Sequence, residues 1–148
     1  MDTAVIGEPI VEEVLIDASP EQVFPYLVEA DLITKWMGNK VGASAKVGGP
    51  YHMYFKPGHT AVGEYQVVDS PSRVVFTFGW DAPENPTAPG STTVEITLTA
   101  QDGGTLVRLV HTGLAEVTRA DHTHGWNLYM GRLAVVAAGG DPGAEPNS

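Results

Sequence analysis

The chain of 148 residues carries eight Lys and Arg against eighteen Asp and Glu, a net charge of −10, with 43% hydrophobic residues and no cysteine. That length and apolar content suit one compact domain that buries about two thirds of its unfolded surface without staples, while the negative field argues against nucleic acid and anionic membranes as partners. The lack of cysteine excludes disulfides, thiol nucleophiles and thiolate metal sites, and is compatible with a reducing compartment.

Met1 to Pro9 lacks the basic patch and apolar stretch of a signal peptide, and the longest apolar run near the end, Leu133 to Ala138, is too short to span a bilayer. A soluble, cytoplasmic protein is the expectation. Ile10 to Asp17 reads as a first strand. Ser19 then offers an N-cap with Pro20 at the first helical position and Gln22 three residues on, a capping box. Val23, Phe24 and Leu27 continue an apolar stripe, but Pro25 removes one helical hydrogen bond and predicts a kink or early stop. A second short helix is expected over Asp31 to Met37, ended by Gly38 and Asn39.

After the Gly-rich connection Val47 to Pro50, Tyr51, Met53 and Phe55 alternate with His52 and Tyr54, the period of a strand. Lys56 to Thr60 reads as a turn, Val62 to Val68 as a strand, and Asp69 to Ser72 as another turn. Arg73 to Trp80 is the clearest strand, with Val74, Phe76, Phe78 and Trp80 on one face and Arg73, Val75 and Thr77 on the other. The prolines at 83, 86 and 89 make Asp81 to Ser91 a surface loop, long enough to form a lip. Thr92 to Thr99 alternates cleanly, and Asp102-Gly103-Gly104 predicts a tight hairpin into Thr105 to Thr112.

The last regular segment, roughly Thr118 to Gly139, places Trp126, Tyr129, Met130, Leu133, Val136 and Ala137 at helical spacing. The Gly, Pro, Asp and Asn-rich residues from Gly139 to Ser148 are expected to be a disordered tail, leaving residues 1–138 as one domain. The order β, two short helices, five or six antiparallel strands and one long helix is an α+β layout. Six or seven strands about 4.8 Å apart make a face near 30 Å wide, but a helix is only about 10 to 12 Å across. Uncovered apolar sheet is therefore a candidate ligand cavity unless the short helices seal it.

Several segments resemble the START-like helix-grip (SRPBCC) superfamily, in particular its branch related to the activator of heat-shock protein 90 ATPase homologue. They are Ala18 to Phe24, Lys35-Trp36, Gly48-Gly49-Pro50-Tyr51, Gly63-Glu64-Tyr65, Asp69 and Pro71 before Arg73 to Phe78, Gly104-Thr105, His111 to Leu114, and Gly125-Trp126. The resemblance runs from about Ile10 to Ala138. It implies a seven-stranded antiparallel sheet wrapped around the C-terminal helix, with an elongated apolar cavity between them. It does not imply one activity, because relatives include binding proteins, polyketide cyclases, self-resistance proteins and a co-chaperone domain. The co-chaperone relative carries a further N-terminal domain for which 148 residues leave no room, so chaperone activation is not the first expectation.

The candidate ligand-binding residues are Trp36, Tyr51, Met53, Phe55, Tyr65, Phe76, Phe78, Trp80, His111, His122, Trp126, Tyr129 and Met130, flat or polarizable walls with a few polar tips. The same side chains also suit an ordinary core. His111 shares a face with Val107 and Leu109 and is expected to point inward, as an orienting group, a general acid or base, or a structural histidine. His122 and His124 are two apart, about 200° around a helix, so no metal site is expected of them; His122 falls four residues before Trp126, at the cavity mouth, and His124 outside. Glu64 is the carboxylate to watch, although alternation with Tyr65 and Val67 turns it outward; Asp81 is a second, weaker one.

Three functions follow from this reading. The first is binding of a small hydrophobic or aromatic molecule, with no cofactor. The second is a polyketide cyclase/dehydratase-like or hydrolase-like enzyme working in the cavity with His111 as acid or base. The third is a co-chaperone-like interaction module using the long helix's exposed edge or the outer sheet face, where His52, Tyr54, Thr77, Thr93, Glu95 and Thr97 look like ordinary solvated sheet. A homodimer through an edge strand is compatible with each.

Overall fold

The structure is a computed structural model, and it describes residues 5–82 and 84–147. Part of the N-terminal segment read for a leader, Pro83 of the proline-rich loop and Ser148 of the tail lie outside the described residues. The elements run β1 (Ile10–Ile16), α1 (Pro20–Val23), α2 (Pro25–Val28), α3 (Ala30–Ile33), β2 (Lys40–Ala43), β3 (Pro50–Lys56), β4 (His59–Asp69), β5 (Arg73–Trp80), β6 (Thr92–Gln101), β7 (Gly104–Thr112) and α4 (Glu116–Ala137). The seven strands form one antiparallel sheet in the order β1-β7-β6-β5-β4-β3-β2, wrapped around α4. This is the expected helix-grip arrangement.

Local chemistry explains the element ends. Ser19 Oγ accepts the Gln22 amide at 3.2 Å while Gln22 Oε1 accepts the Ser19 amide at 2.9 Å, so the capping box forms at the start of α1. Pro25 stops α1 and opens α2, and the two expected short helices become three four-residue turns of helix. Asp102 and Gly103 both have positive φ, 52° and 79°, the geometry of a two-residue hairpin turn whose twist matches its strands. Strand β2 was not expected from its sequence.

Inside the grip, apolar residues of β3 to β7 meet Trp126, Met130 and Leu133 of α4 and Leu27, Ile33 and Trp36 from the helical turns. In β4 the register passes from Val62↔Gly79 to Tyr65↔Phe76, and between these pairs the Thr77 carbonyl accepts the Tyr51 hydroxyl at 2.7 Å. Gly63 permits that approach, since a Cβ there would collide with the same carbonyl. An extra residue between Tyr65 and Val67 then bulges β4, which bends the strand locally.

Residues 139–147 turn back along α4, where Arg132 donates to the carbonyls of Pro142, Gly143 and Ala144 at 2.9 to 3.1 Å. Gly, Pro and Asn carry little apolar surface, and the tail's contacts run instead through a buried arginine and a buried glutamate, Glu145.

Candidate functional site

A cleft of about 280 Å³ opens between the β3, β4 and β5 end of the sheet and the first half of α4. Phe55 comes from β3, Phe78 and Trp80 from β5, and His122, Gly125, Trp126 and Tyr129 from one stripe of α4, spaced three and four apart. Met37 enters from the end of the helical turns. Lys56 and His59 flank the β3–β4 turn, Asp121 sits on the helix rim, and Asn147 arrives from the tail. Gly125 matters by what it lacks: a Cβ there would meet nothing within 4 Å, so the helix leaves this part of the cleft open.

The walls are ring against ring. Phe55 lies 5.7 Å from Trp80 and 5.9 Å from Tyr129 between centroids, tilted in both cases. Phe78 meets Trp80 edge-on at 5.6 Å and tilts against Trp126 at 6.1 Å. Such offset and edge contacts present quadrupole edges and faces toward the open space, a surface suited to another planar apolar group. His122 is tied at both nitrogens: Nε2 accepts the Trp80 indole N–H at 3.1 Å and Nδ1 donates to the Thr118 carbonyl at 2.8 Å.

His111 does not line this cleft. Its ring stands behind Phe78, 5.1 Å away, and the residue is only 1% exposed. Nδ1 accepts the Trp126 indole N–H at 2.9 Å, which leaves the proton on Nε2, directed at Thr92 Oγ1 2.8 Å away. Thr92 in turn donates to the Phe78 carbonyl at 2.7 Å. Burial, and next to it the neighbouring His122, pushes the His111 pKa down to about 3. The ring is neutral near pH 7 with both nitrogens engaged, and it stands apart from the cleft walls.

Trp36, Tyr51, Met53, Tyr65 and Phe76 form a second group, also away from the cleft. They surround a space of only about 20 Å³, together with Leu27, Ile33 and Ile96. That is room for one water at most, and its lining is apolar, so it is packed core. The hydroxyls there serve the backbone: Tyr51 donates to Thr77, and Tyr65 donates to the Leu27 carbonyl at 3.1 Å. Burial raises the Tyr65 pKa to about 12 and that of Tyr51 well above its ordinary value, which keeps both as donors. Met130 is buried and borders neither space.

Of the residues singled out from sequence, the structure thus brings Phe55, Phe78, Trp80, His122, Trp126 and Tyr129 together around one cleft. Sequence reasoning missed Met37, Lys56, His59, Asp121, Gly125 and Asn147. Only Gly125 had a signal, a glycine within a helical stripe, which marks a packing or functional reason. Glu64, Asp81 and His124 are exposed and lie outside the cleft. Among the described residues no group of three or more His, Asp or Glu could hold a metal ion, and no described helix is long and apolar enough to cross a membrane.

A family profile described as Activator of Hsp90 ATPase homolog 1-like protein matches residues 17–138. The solution structure of an AHSA1-like protein from Rhizobium etli is similar at 37% identity over 100% of this chain and 93% of that one, with a TM-score of 0.71. An Aha1 dimer from Colwellia psychrerythraea shares the fold at 23% identity and a TM-score of 0.79, covering 90% of this chain and 98% of the other. An HSP90 activator from Plasmodium falciparum shares it at 18% identity and 0.70, covering 88% and 96%. No curated protein shows a significant sequence match to the chain.

Proposed function

The chain belongs to the Activator of Hsp90 ATPase homolog 1-like family, and from that premise we propose that it binds a small aromatic or hydrophobic molecule in the cleft between the sheet and α4. The observation that carries the reading is the ring-walled space of about 280 Å³ left open opposite Gly125. That size is close to the lower end, about 300 Å³, of ordinary ligand pockets, and fits a one- or two-ring compound. Binding is favoured over turnover because His111 is sealed and neutral and His122 has both nitrogens engaged. Titration of tryptophan fluorescence tests it. Trp80 and Trp126 line the cleft and Trp36 does not, so a binding signal that survives Trp36→Phe but weakens in Trp80→Phe supports the reading; no signal from any aromatic or aliphatic compound sinks it.

A second reading is a co-chaperone-like interaction module, and the comparisons lend it more support than they lend ligand binding. The family description names an activator of the Hsp90 ATPase, and one matched structure is described as an HSP90 activator. On this chain it would draw on Val5, Ile6 and Val117, exposed by 73%, 60% and 84% around the start of α4. Stimulation of the 90-kDa chaperone's ATPase by the chain, lost on Val117→Asp, would move the assignment to this module.

A homodimer belongs to the same proposal, supported by the dimeric state named for the Colwellia relative. Strands β1 and β2 are the open sheet edges, and β1 exposes Val11 and Leu15. Light scattering that returns a monomer at high concentration would remove it.

A further inference from the structure

The tail ends in an arrangement that a simple C-terminal tether does not require. Glu145 is 9% exposed, and its carboxylate sits in donors supplied by the body of the domain: the Gly38 amide to Oε1 at 2.6 Å and the Tyr129 hydroxyl to Oε2 at 2.6 Å. Gly38 holds φ +84°, a conformation that costs other residues energy and that here aims its N–H at the carboxylate. The Asn147 amide adds a third donor at 2.8 Å, and the Asn147 side chain donates to the Tyr129 hydroxyl at 2.8 Å. Beside them Arg132, equally buried, gives three of its donations to tail carbonyls and one to Trp36.

Burying a carboxylate is costly, and charge-assisted bonds of this length repay it only in a site shaped for the group. A tail could be tied down by apolar contacts at lower cost. Tyr129 and Asn147 are also walls of the ring-lined cleft, and Met37, the residue before Gly38, is another. Two of the residues that donate to Glu145, Tyr129 and Asn147, therefore border the space proposed for a ligand, and the third, Gly38, follows a wall residue.

We propose that the Gly38 amide and the Tyr129 hydroxyl form a carboxylate seat beside the cleft, that Glu145 occupies it in cis while Arg132 holds the neighbouring tail carbonyls, and that the cleft's ligand is a hydrophobic or aromatic carboxylic acid that displaces the tail. The ligand class rests on the ligand-binding reading above; the seat itself does not. Release of the tail frees the Arg132 donors that now hold its carbonyls, so the incoming acid finds a cation as well as two hydrogen bonds. Gly139 and Gly143, at φ +96° and +83°, supply pivots for the release. The tail acts as a built-in competitor, lowering apparent affinity in proportion to the fraction of molecules in which the seat is empty.

The test uses the full chain, wild type and Glu145→Ala. In the variant, propionate should raise the unfolding midpoint and move the Gly38 amide resonance back toward its wild-type position, while propionamide does neither; equal effects of the two overturn the seat. Phenylacetate should bind Glu145→Ala about tenfold more tightly than wild type, whereas phenylacetamide binds both alike. If acid and amide are indifferent to the substitution, the acid class is overturned. If neither compound binds either protein while propionate still acts, the acid class falls with the ligand-binding reading and the seat stands. Should the variant not fold, wild type decides: saturating phenylacetate must shift the Gly38 and Asn147 resonances together, and binding that leaves both unmoved contradicts the proposal.

Discussion

Trp126 donates its indole N–H to Nδ1 of His111 over 2.9 Å, joining the middle of α4 to strand β7 inside the core. The bond can form only while Nδ1 carries a lone pair, so the neutral tautomer is built into the fold. Protonating the ring would set two N–H groups against each other in a site with little solvent.

A pH dependence of stability follows from that relationship. The unfolded histidine takes up a proton near pH 6.5 and the folded one only near 3, so below about 6.5 the unfolded state binds more protons and stability falls with pH. The loss is present across the window from about 6.5 down to 3, with a slope of about 1.4 kcal/mol per pH unit from this one group. Denaturation followed between pH 4 and 6.5 should show His111→Gln shallower than wild type by about one proton. Equal slopes would mean that the histidine is solvated in the folded state.

Tyr51→Phe isolates the core from the cleft. It leaves the Thr77 carbonyl without its 2.7 Å partner in the interior, at a cost of about 1 to 3 kcal/mol. Ligand affinity should be unchanged, because Tyr51 borders the 20 Å³ core space and not the cleft. Chemical denaturation and a binding titration on the same variant read the two effects.

Phe78→Ala should do both kinds of damage. The ring is buried against Trp80, His111 and Trp126, so its removal costs about 3 to 5 kcal/mol and takes away a cleft wall. A midpoint that falls while affinity for the best aromatic ligand is retained would place the ligand elsewhere.

Arg132 allows a fourth expectation. Arg132→Lys keeps the charge but cannot span the carbonyls of Trp36, Pro142, Gly143 and Ala144 at once, so the tail loses its anchor. Amide exchange across residues 139–147 should speed up by about ten- to a hundredfold in this variant, with β5 and β6 unaffected. Unchanged protection of the tail would show that Glu145 alone holds it.

Where signals were local, the sequence was readable. The capping box at Ser19, the break at Pro25, the face shared by Val74, Phe76 and Phe78, and the Asp102-Gly103 turn are each set by neighbours within a few residues. Strand β2 was not readable, because Lys-Val-Gly-Ala at a sheet edge has one β-branched residue and a glycine. The tail's contacts run to Arg132, 10 to 12 residues back, and to Gly38, 107 residues back, and its composition carries no sign of either. His111 was placed correctly as inward, but periodicity cannot tell an inward histidine with free nitrogens from one whose nitrogens are held by Trp126 and Thr92. The aromatic set was identified as a group; its division into cleft and core is a matter of tertiary placement that strand and helix periodicity do not carry.

Thermal unfolding of wild type and Gly125→Leu against a panel of small aromatic, polyketide-like and fatty-acid compounds tests the ligand cleft most directly. Leucine at 125 gains helix propensity and projects into open space, so the variant should be at least as stable as wild type with its cleft filled. A compound at a hundred times its dissociation constant adds about 2.7 kcal/mol, which should raise the wild-type midpoint by roughly 5 to 10 °C and leave the variant unmoved. A panel that moves neither protein, or moves both equally, would contradict the cleft as the ligand site.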